Sequence, residues 1–170
     1  AALLGRLPAL PVIDISHDVR PHDIAQAAFL LRLAYRDFPE GSVFVAVVDP
    51  GVGTARKAVV LSSPHGAFIG PDNGVFTFIL AGEEALSAHE ITAGHLSLEA
   101  VSATFHGRDL FAPAAAALVE GCAPAALGPA VDRHGSCVCR SCPRSKPAAP
   151  GLPSSSAPKS TASAPPTMAS

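Results

Sequence analysis

The chain has 170 residues, 48% of them hydrophobic, and a formal net charge of -2. That is enough for one domain with a true core. It is too apolar for a chain disordered throughout, and too weakly charged for a nucleic-acid-binding surface. No apolar run reaches the roughly 18 residues that a membrane span needs. The cysteines, Cys122, Cys137, Cys139 and Cys142, lie at or beyond the end of the part that reads as folded. A disulfide framework is therefore not expected, and a cytoplasmic location is. The opening residue is Ala1, in a stretch too short for a secretory signal, and reads as a cut edge.

In chain order, residues 3–10 read as the end of a helix or a connection, interrupted by Pro8 and Pro11. Val12-Ile-Asp-Ile15 is expected to be a short strand. A polar connection follows, with Asp23 placed as a helix N-cap. The helix is expected over 24–37, because Ile24, Ala27, Ala28, Leu31 and Tyr35 recur at three and four. Phe38-Pro-Glu-Gly41 supplies its stop. Val43-Phe-Val-Ala-Val-Val48 has no polar residue and is mostly β-branched, so it is expected to be a central strand covered on both faces.

That run ends at Asp49, followed by Pro50, Gly51 and Gly53, with Arg56 seven residues after the carboxylate. Glycine lets such a loop come close to a ligand, and ligands of open α/β sheets sit outside strand carboxyl ends. Residues 57–62 and 67–69 read as a hairpin joined at Ser63-Pro-His-Gly66. Gly70-Pro-Asp-Asn-Gly74 is a second polar loop, opening a short helix over 74–80, and 89–92 is a further candidate strand. Thr104-Phe-His-Gly-Arg-Asp109 is a third polar cluster. It introduces an alanine-rich helix over 110–120, with Pro113 tolerated in the first turn. Strands alternating with helices imply an α/β fold with a mostly parallel sheet and flanking helices. The three polar loops are expected to converge at one sheet edge. Residues 1–128 are expected to form the domain, and 129–170 a low-complexity, disordered Cys/Pro/Ser/Ala-rich tail.

Several motifs have ordinary explanations. Gly51-x-Gly53-x-x-Arg56 lacks the third glycine of a dinucleotide fingerprint, and Lys57 is misplaced for a P-loop. His17 and His22, flanking Asp18 and Asp23, suit loop and capping roles better than a metal site. Cys137-x-Cys-x-x-Cys142 with His134 is at most half a zinc site, so no metal is expected. Asp49 and Arg56 read equally as a loop-tying ion pair or as the floor of a polar pocket. His106 reads equally as a loop-stabilising residue or, if neutral at a helix start, as a base.

Four motifs carry a resemblance. They are Val12-Ile-Asp-Ile-Ser-His-Asp-Val-Arg-Pro-His-Asp23, Val47-Val-Asp-Pro-Gly-Val-Gly-Thr-Ala-Arg56, Gly70-Pro-Asp-Asn-Gly74 and Thr104-Phe-His-Gly-Arg-Asp-Leu-Phe-Ala-Pro113. Their order and spacing resemble those of the S-adenosyl-L-methionine (SAM) hydroxide adenosyltransferases, the SAM hydrolases related to fluorinase and chlorinase, over residues 1–128. The resemblance implies displacement of L-methionine from SAM by activated water at C5′, giving adenosine, with SAM as substrate and no cofactor. By motif, the family's water-activating set falls on Asp49, Arg56 and His106. Phe105, Asp72 and Asn73 are implied as nucleoside-lining residues. An intact family member is expected to be a homotrimer, with neither nucleic acid nor membrane as partner. The family's opening Thr-Asp-Phe-Gly-like segment and its second, mostly β domain are missing from this sequence. The alternatives are an inactive fragment keeping only the fold or oligomer contacts, and a SAM-dependent halogenase.

Overall fold

A computed structural model describes residues 9–83, 86–96 and 102–132. Of the expected tail, residues 133–170, with His134, Cys137, Cys139 and Cys142, lie outside the described residues; residues 129–131 instead belong to the fold, because Ala130 bridges His89 and the Val131 amide donates to Ala88 O at 2.9 Å. Among the described residues, four strands form one sheet: β1 (Ser42–Val45), β2 (Ala58–Ser63), β3 (Gly66–Pro71) and β4 (Ser87–Glu90), in the order β1-β3-β2-β4. Helices α1 (Ile24–Ala34), α2 (Thr77–Gly82) and α3 (Ala112–Val119) flank it.

Helix α1 starts where Asp23 Oδ1 accepts a hydrogen bond from the Gln26 amide at 2.9 Å, a conventional N-cap. Its expected stripe is the buried one, through Ala27, Ala28 and Leu31, and a tight extra turn, Tyr35–Asp37, continues it to the buried Tyr35. The period-two alternation of β2 divides the core. Val59 and Leu61 point to one face, with Phe44, Phe68, Phe76, Ile79 and the α1 stripe. Ala58 and Val60 point to the other, with Ile69, Leu110, Phe111, Ala114 and Ala115. Helices α1 and α2 therefore cover one face and α3 the other. Phe68 anchors the first cluster, stacked on Phe44 at 5.0 Å between centroids and edge-on to Tyr35 at 5.6 Å.

The α/β architecture with flanking helices is as expected, but the strand directions are not. Only β1·β3 is parallel; β2·β3 and β2·β4 are antiparallel. The cause is local: Pro64-His65 leaves two residues between Ser63 and Gly66, and so short a link can only join antiparallel neighbours. The run 43–48 is also not central. Among the described residues β1 pairs with β3 alone, at the sheet edge, and is regular only to Val45. Phe44, Ala46 and Val48 face the core, while Val45 and Val47 are 42% and 47% exposed. The expected strand at 12–15 does not form. It has no ladder partner among the described residues, and Val12, Ile13 and Ile15 are exposed. Strand β4 lies two residues earlier than expected: the Ile91 amide makes the last in-register bond, to Ala58 O, and the Thr92 amide turns away to Leu127 O.

Candidate active site

The parallel ladder runs one residue past β1, where the Ala46 amide donates to Ile69 O at 3.0 Å. Gly70 makes this approach possible: a Cβ there would stand 2.4 Å from Ala46 O. Just beyond, Asn73 Nδ2 donates to Val48 O at 2.8 Å, and Asn73 Oδ1 accepts from the Val75 amide at 3.2 Å. The 70–74 loop is thus fastened to the strand end immediately before Asp49.

Asp49 uses both carboxylate oxygens. Oδ1 accepts from the Gly51 amide at 3.2 Å, and Oδ2 accepts from Arg56 Nη2. The loop between them is wound tightly, with Thr54 donating to Gly51 O from both its amide and its hydroxyl. Gly53 has φ +78°, and a Cβ on it would stand 3.0 Å from Ala103 O, so this loop needs glycine where it touches the 102–106 segment. The ion pair is shielded from water, with side-chain exposures of 9% for Arg56 and 6% for Asp49.

His106 completes the chain. Its Nδ1 lies 2.6 Å from Arg56 Nη2. It is brought there by the segment before α3, where a Cβ on Gly107 would stand 3.5 Å from a methyl of Val47, two residues past β1. The five residues Gly107–Phe111 make a wide helical turn, and the Ala112 amide bonds Gly107 O, five residues back. Pro113 explains the widening. It has no N–H to offer Asp109 O, and its ring crowds that carbonyl.

A guanidinium only donates, so Nδ1 is the acceptor and neutral His106 carries its proton on Nε2. Burial pushes the imidazole below its ordinary pKa, and the adjacent Arg56 cation pushes it further; Asp49 and Asp109 oppose them. Arg56 Nη2 has two hydrogens, one for Asp49 and one for His106. Nη1 reaches Lys57 O at 3.4 Å, and the buried Nε has no hydrogen-bond partner among the described residues. Beneath this chain lies Phe111, fully buried, with Arg56 Cζ 5.5 Å from its ring centroid and the His106 ring edge-on at 6.4 Å.

The three polar loops therefore converge, and Asp49, Arg56 and His106 meet. The other expected site residues sit differently. Both ends of the Asn73 amide bond backbone, so the side chain fixes the loop. The Asp72 amide donates to Lys57 O at 2.9 Å, and Asp72 lines a cavity of about 10 Å³ under the 71–76 loop. That is far below the roughly 300 Å³ at which ligand pockets begin. Phe105 is 58% exposed, with the Arg108 guanidinium 5.0 Å from its ring centroid. No group of three or more metal-ligating side chains occurs among the described residues, and none of their helices is long and apolar enough to cross a membrane. Sequence reasoning missed Phe111. Its place in His106-Gly-Arg-Asp-Leu-Phe111 signals a site role only once the turn is known to be wide.

Fold and cluster together define an α/β domain with a shielded carboxylate–guanidinium–imidazole chain at the end of a strand. The chain belongs to the SAM hydroxide adenosyltransferase N-terminal domain family, whose model matches residues 1–128. An (R)-S-adenosyl-L-methionine hydrolase of Thermus thermophilus is 43% identical over 138 residues, covering 77% of this chain and 54% of the relative. A hydrolase of the same name from Salinispora tropica is 46% identical over 132 residues, covering 76% and 50%. A fluorinase of Nocardia brasiliensis is 26% identical over 142 residues, covering 70% and 47%. The crystal structure of an uncharacterized conserved protein from Thermotoga maritima superposes with TM-score 0.73 at 38% identity, covering 77% of this chain and 52% of that one. The chain spans about half the length of the curated relatives it matches.

Proposed function

We propose that this chain carries the water-activating site of a SAM hydrolase, acting on the (R) sulfonium epimer named for its relatives. The observation that carries the reading is the continuous Asp49–Arg56–His106 chain at the strand end. The reaction is SAM + water → adenosine + L-methionine, with a proton released. The water oxygen forms a bond to ribose C5′ as the C5′–S bond breaks, and its electron pair leaves with sulfur. The sulfonium departs as a neutral thioether, so the protein needs no acid for the leaving group. Its task is to hold a poorly solvated nucleophile in line with the breaking bond.

In this reading Asp49 fixes Arg56, and Arg56 fixes His106. With Nδ1 engaged by Arg56, His106 presents Nε2–H to the nucleophilic oxygen. It therefore polarises the nucleophile and favours its hydroxide form, rather than removing its proton. The Arg56 cation adds a field of the same sign. Phe105, exposed beside this site, is the residue we assign to the nucleoside face, with Asp72 and Asn73 forming the loop wall.

The test is to incubate the chain with (R)-SAM and with (S)-SAM and to follow adenosine by chromatography. Adenosine above the buffer control, lost in His106→Ala and kept in His17→Ala, is expected. A donor role also predicts that kcat/KM keeps rising with pH above the His106 titration. Equal effects of the two histidine variants would remove His106 from the mechanism. A second reading is a domain that folds without turnover; absence of adenosine would select it. Halide added to the assay checks the halogenase alternative through 5′-halo-adenosine, and the lower identity to the fluorinase makes hydrolysis the preferred reading. For the intact protein we propose a cytoplasmic homotrimer, with exposed Ile13, Val45 and Val47 as apolar surface for another copy to cover.

A further inference from the structure

The proposed chemistry leaves one buried group at the site without a task. Phe111 has no exposed surface and belongs to the core cluster between the sheet and α3. It also faces the two polar groups that do the work. The Arg56 guanidinium stands over its ring at 5.5 Å, and the His106 ring meets it edge-on at 6.4 Å and 81°. The attraction of the ring face for a cation and the preference for an edge-to-face approach are both directional. An aliphatic side chain of similar volume supplies neither.

Hydrogen bonds alone leave freedom in this cluster. Arg56 is tied through Nη2, with only a 3.4 Å contact from Nη1 and no partner on Nε. The bond to His106 also depends on the imidazole keeping one tautomer. Phe111 closes the wide turn that opens directly after His106, so one backbone unit sets the spacing of imidazole and ring. The ring in turn is gripped by the core.

We propose that Phe111 is a positioning residue, whose ring holds Arg56 and His106 in the register that keeps Arg56 Nη2 donating to His106 Nδ1. Its importance for turnover rests on the SAM-hydrolase reading; its effect on the geometry does not. The charged groups facing His106 are Arg56 and Asp49 from the 49–56 loop and Asp109 from its own turn, and none is altered by changing Phe111.

The experiment is nitrogen-15 NMR of the imidazoles in the full chain, across a pH titration, in wild type, Phe111→Leu and Phe68→Leu. Phe68 is an equally buried core ring packed against Tyr35, Phe44 and Phe76. The wild type is expected to show His106 protonated on Nε2 and accepting at Nδ1. Phe111→Leu is expected to give mixed tautomers and a titration midpoint moved upward toward the ordinary imidazole value. Phe68→Leu is expected to lower thermal stability without moving either signal. The proposal is overturned if Phe111→Leu keeps the wild-type tautomer and midpoint, or if Phe68→Leu shifts them as much. Phe111→Met serves if the leucine variant does not fold; failure of both to fold would overturn the proposal by making Phe111 a core residue first. If the wild type hydrolyses SAM, Phe111→Leu should lower kcat about tenfold with KM little changed. An NMR effect without turnover would leave the positioning role standing and sink the hydrolase reading.

Discussion

Replacing Asp49 by Asn changes one charge and almost no volume, so its effect can be worked from the site. Arg56 and Asp49 have side-chain exposures of only 9% and 6%. Removing one partner of such a buried pair strands the other charge, at a cost of about 3–5 kcal/mol. Asn retains an acceptor for Arg56 or the Gly51 amide, and His106 still accepts from Nη2, so we expect the lower end, about 3 kcal/mol. In a domain of this size that corresponds to a fall in Tm of about 10 °C or more. Arg56→Met should cost a similar amount, since it leaves the carboxylate buried and unpaired. The double variant should lose much less than the sum, with a coupling of about 2 kcal/mol. The assay is urea denaturation followed by circular dichroism on the four proteins of the cycle. Additivity within about 0.5 kcal/mol would refute the pairing, and with it the first link of the proposed site.

Three further outcomes follow from the same structure. His106 is held below its ordinary pKa of about 6.5, so below that value the unfolded chain binds a proton that the native state resists. Its stabilising effect is therefore present above about pH 6.5 and lost as pH falls toward the native pKa; Tm measured from pH 8 to 5 should fall more steeply for wild type than for His106→Gln. Tyr35→Phe should cost about 1.5–3 kcal/mol in denaturant unfolding, because Tyr35 donates at 2.8 Å to the buried Glu83, which also accepts from His65; an unchanged midpoint would contradict this. Gly53→Ala should cost about 1–2 kcal/mol and Gly94→Ala less, because Gly53 has a left-handed φ and a Cβ position 3.0 Å from Ala103 O, whereas a Cβ on Gly94 meets nothing within 4 Å.

Local signals read well from the chain. The stripe at Ala27, Ala28, Leu31 and Tyr35, the Asp23 cap and the Pro64-His65 hairpin each depend on residues within a few positions of one another, and each stands where expected. Non-local pairing was less visible. Val43-Phe-Val-Ala-Val-Val48 has the composition of a central strand, but composition does not say how many neighbours a strand has, and β1 lies at an edge. The same holds for 12–15, whose apolar pattern fits a strand that finds no partner among the described residues. At the site, the seven-residue interval from Asp49 to Arg56 reflects a tight loop that returns the cation to the carboxylate. His106 lies fifty residues further along, and residue types alone left it undecided; family resemblance grouped it with the pair. Phe111 stayed hidden because a regular helix does not place residues five apart on one face. Only the wide turn ahead of Pro113 does so.

The central claim is that the Asp49–Arg56–His106 chain directs water at C5′ of SAM. The most direct measurement is incubation of the chain with (R)-SAM in oxygen-18 water, with mass spectrometry of the adenosine formed. The account predicts adenosine labelled at the 5′-hydroxyl, equimolar with methionine and absent in Arg56→Met. No adenosine above the buffer control, or adenosine without the label, would contradict it.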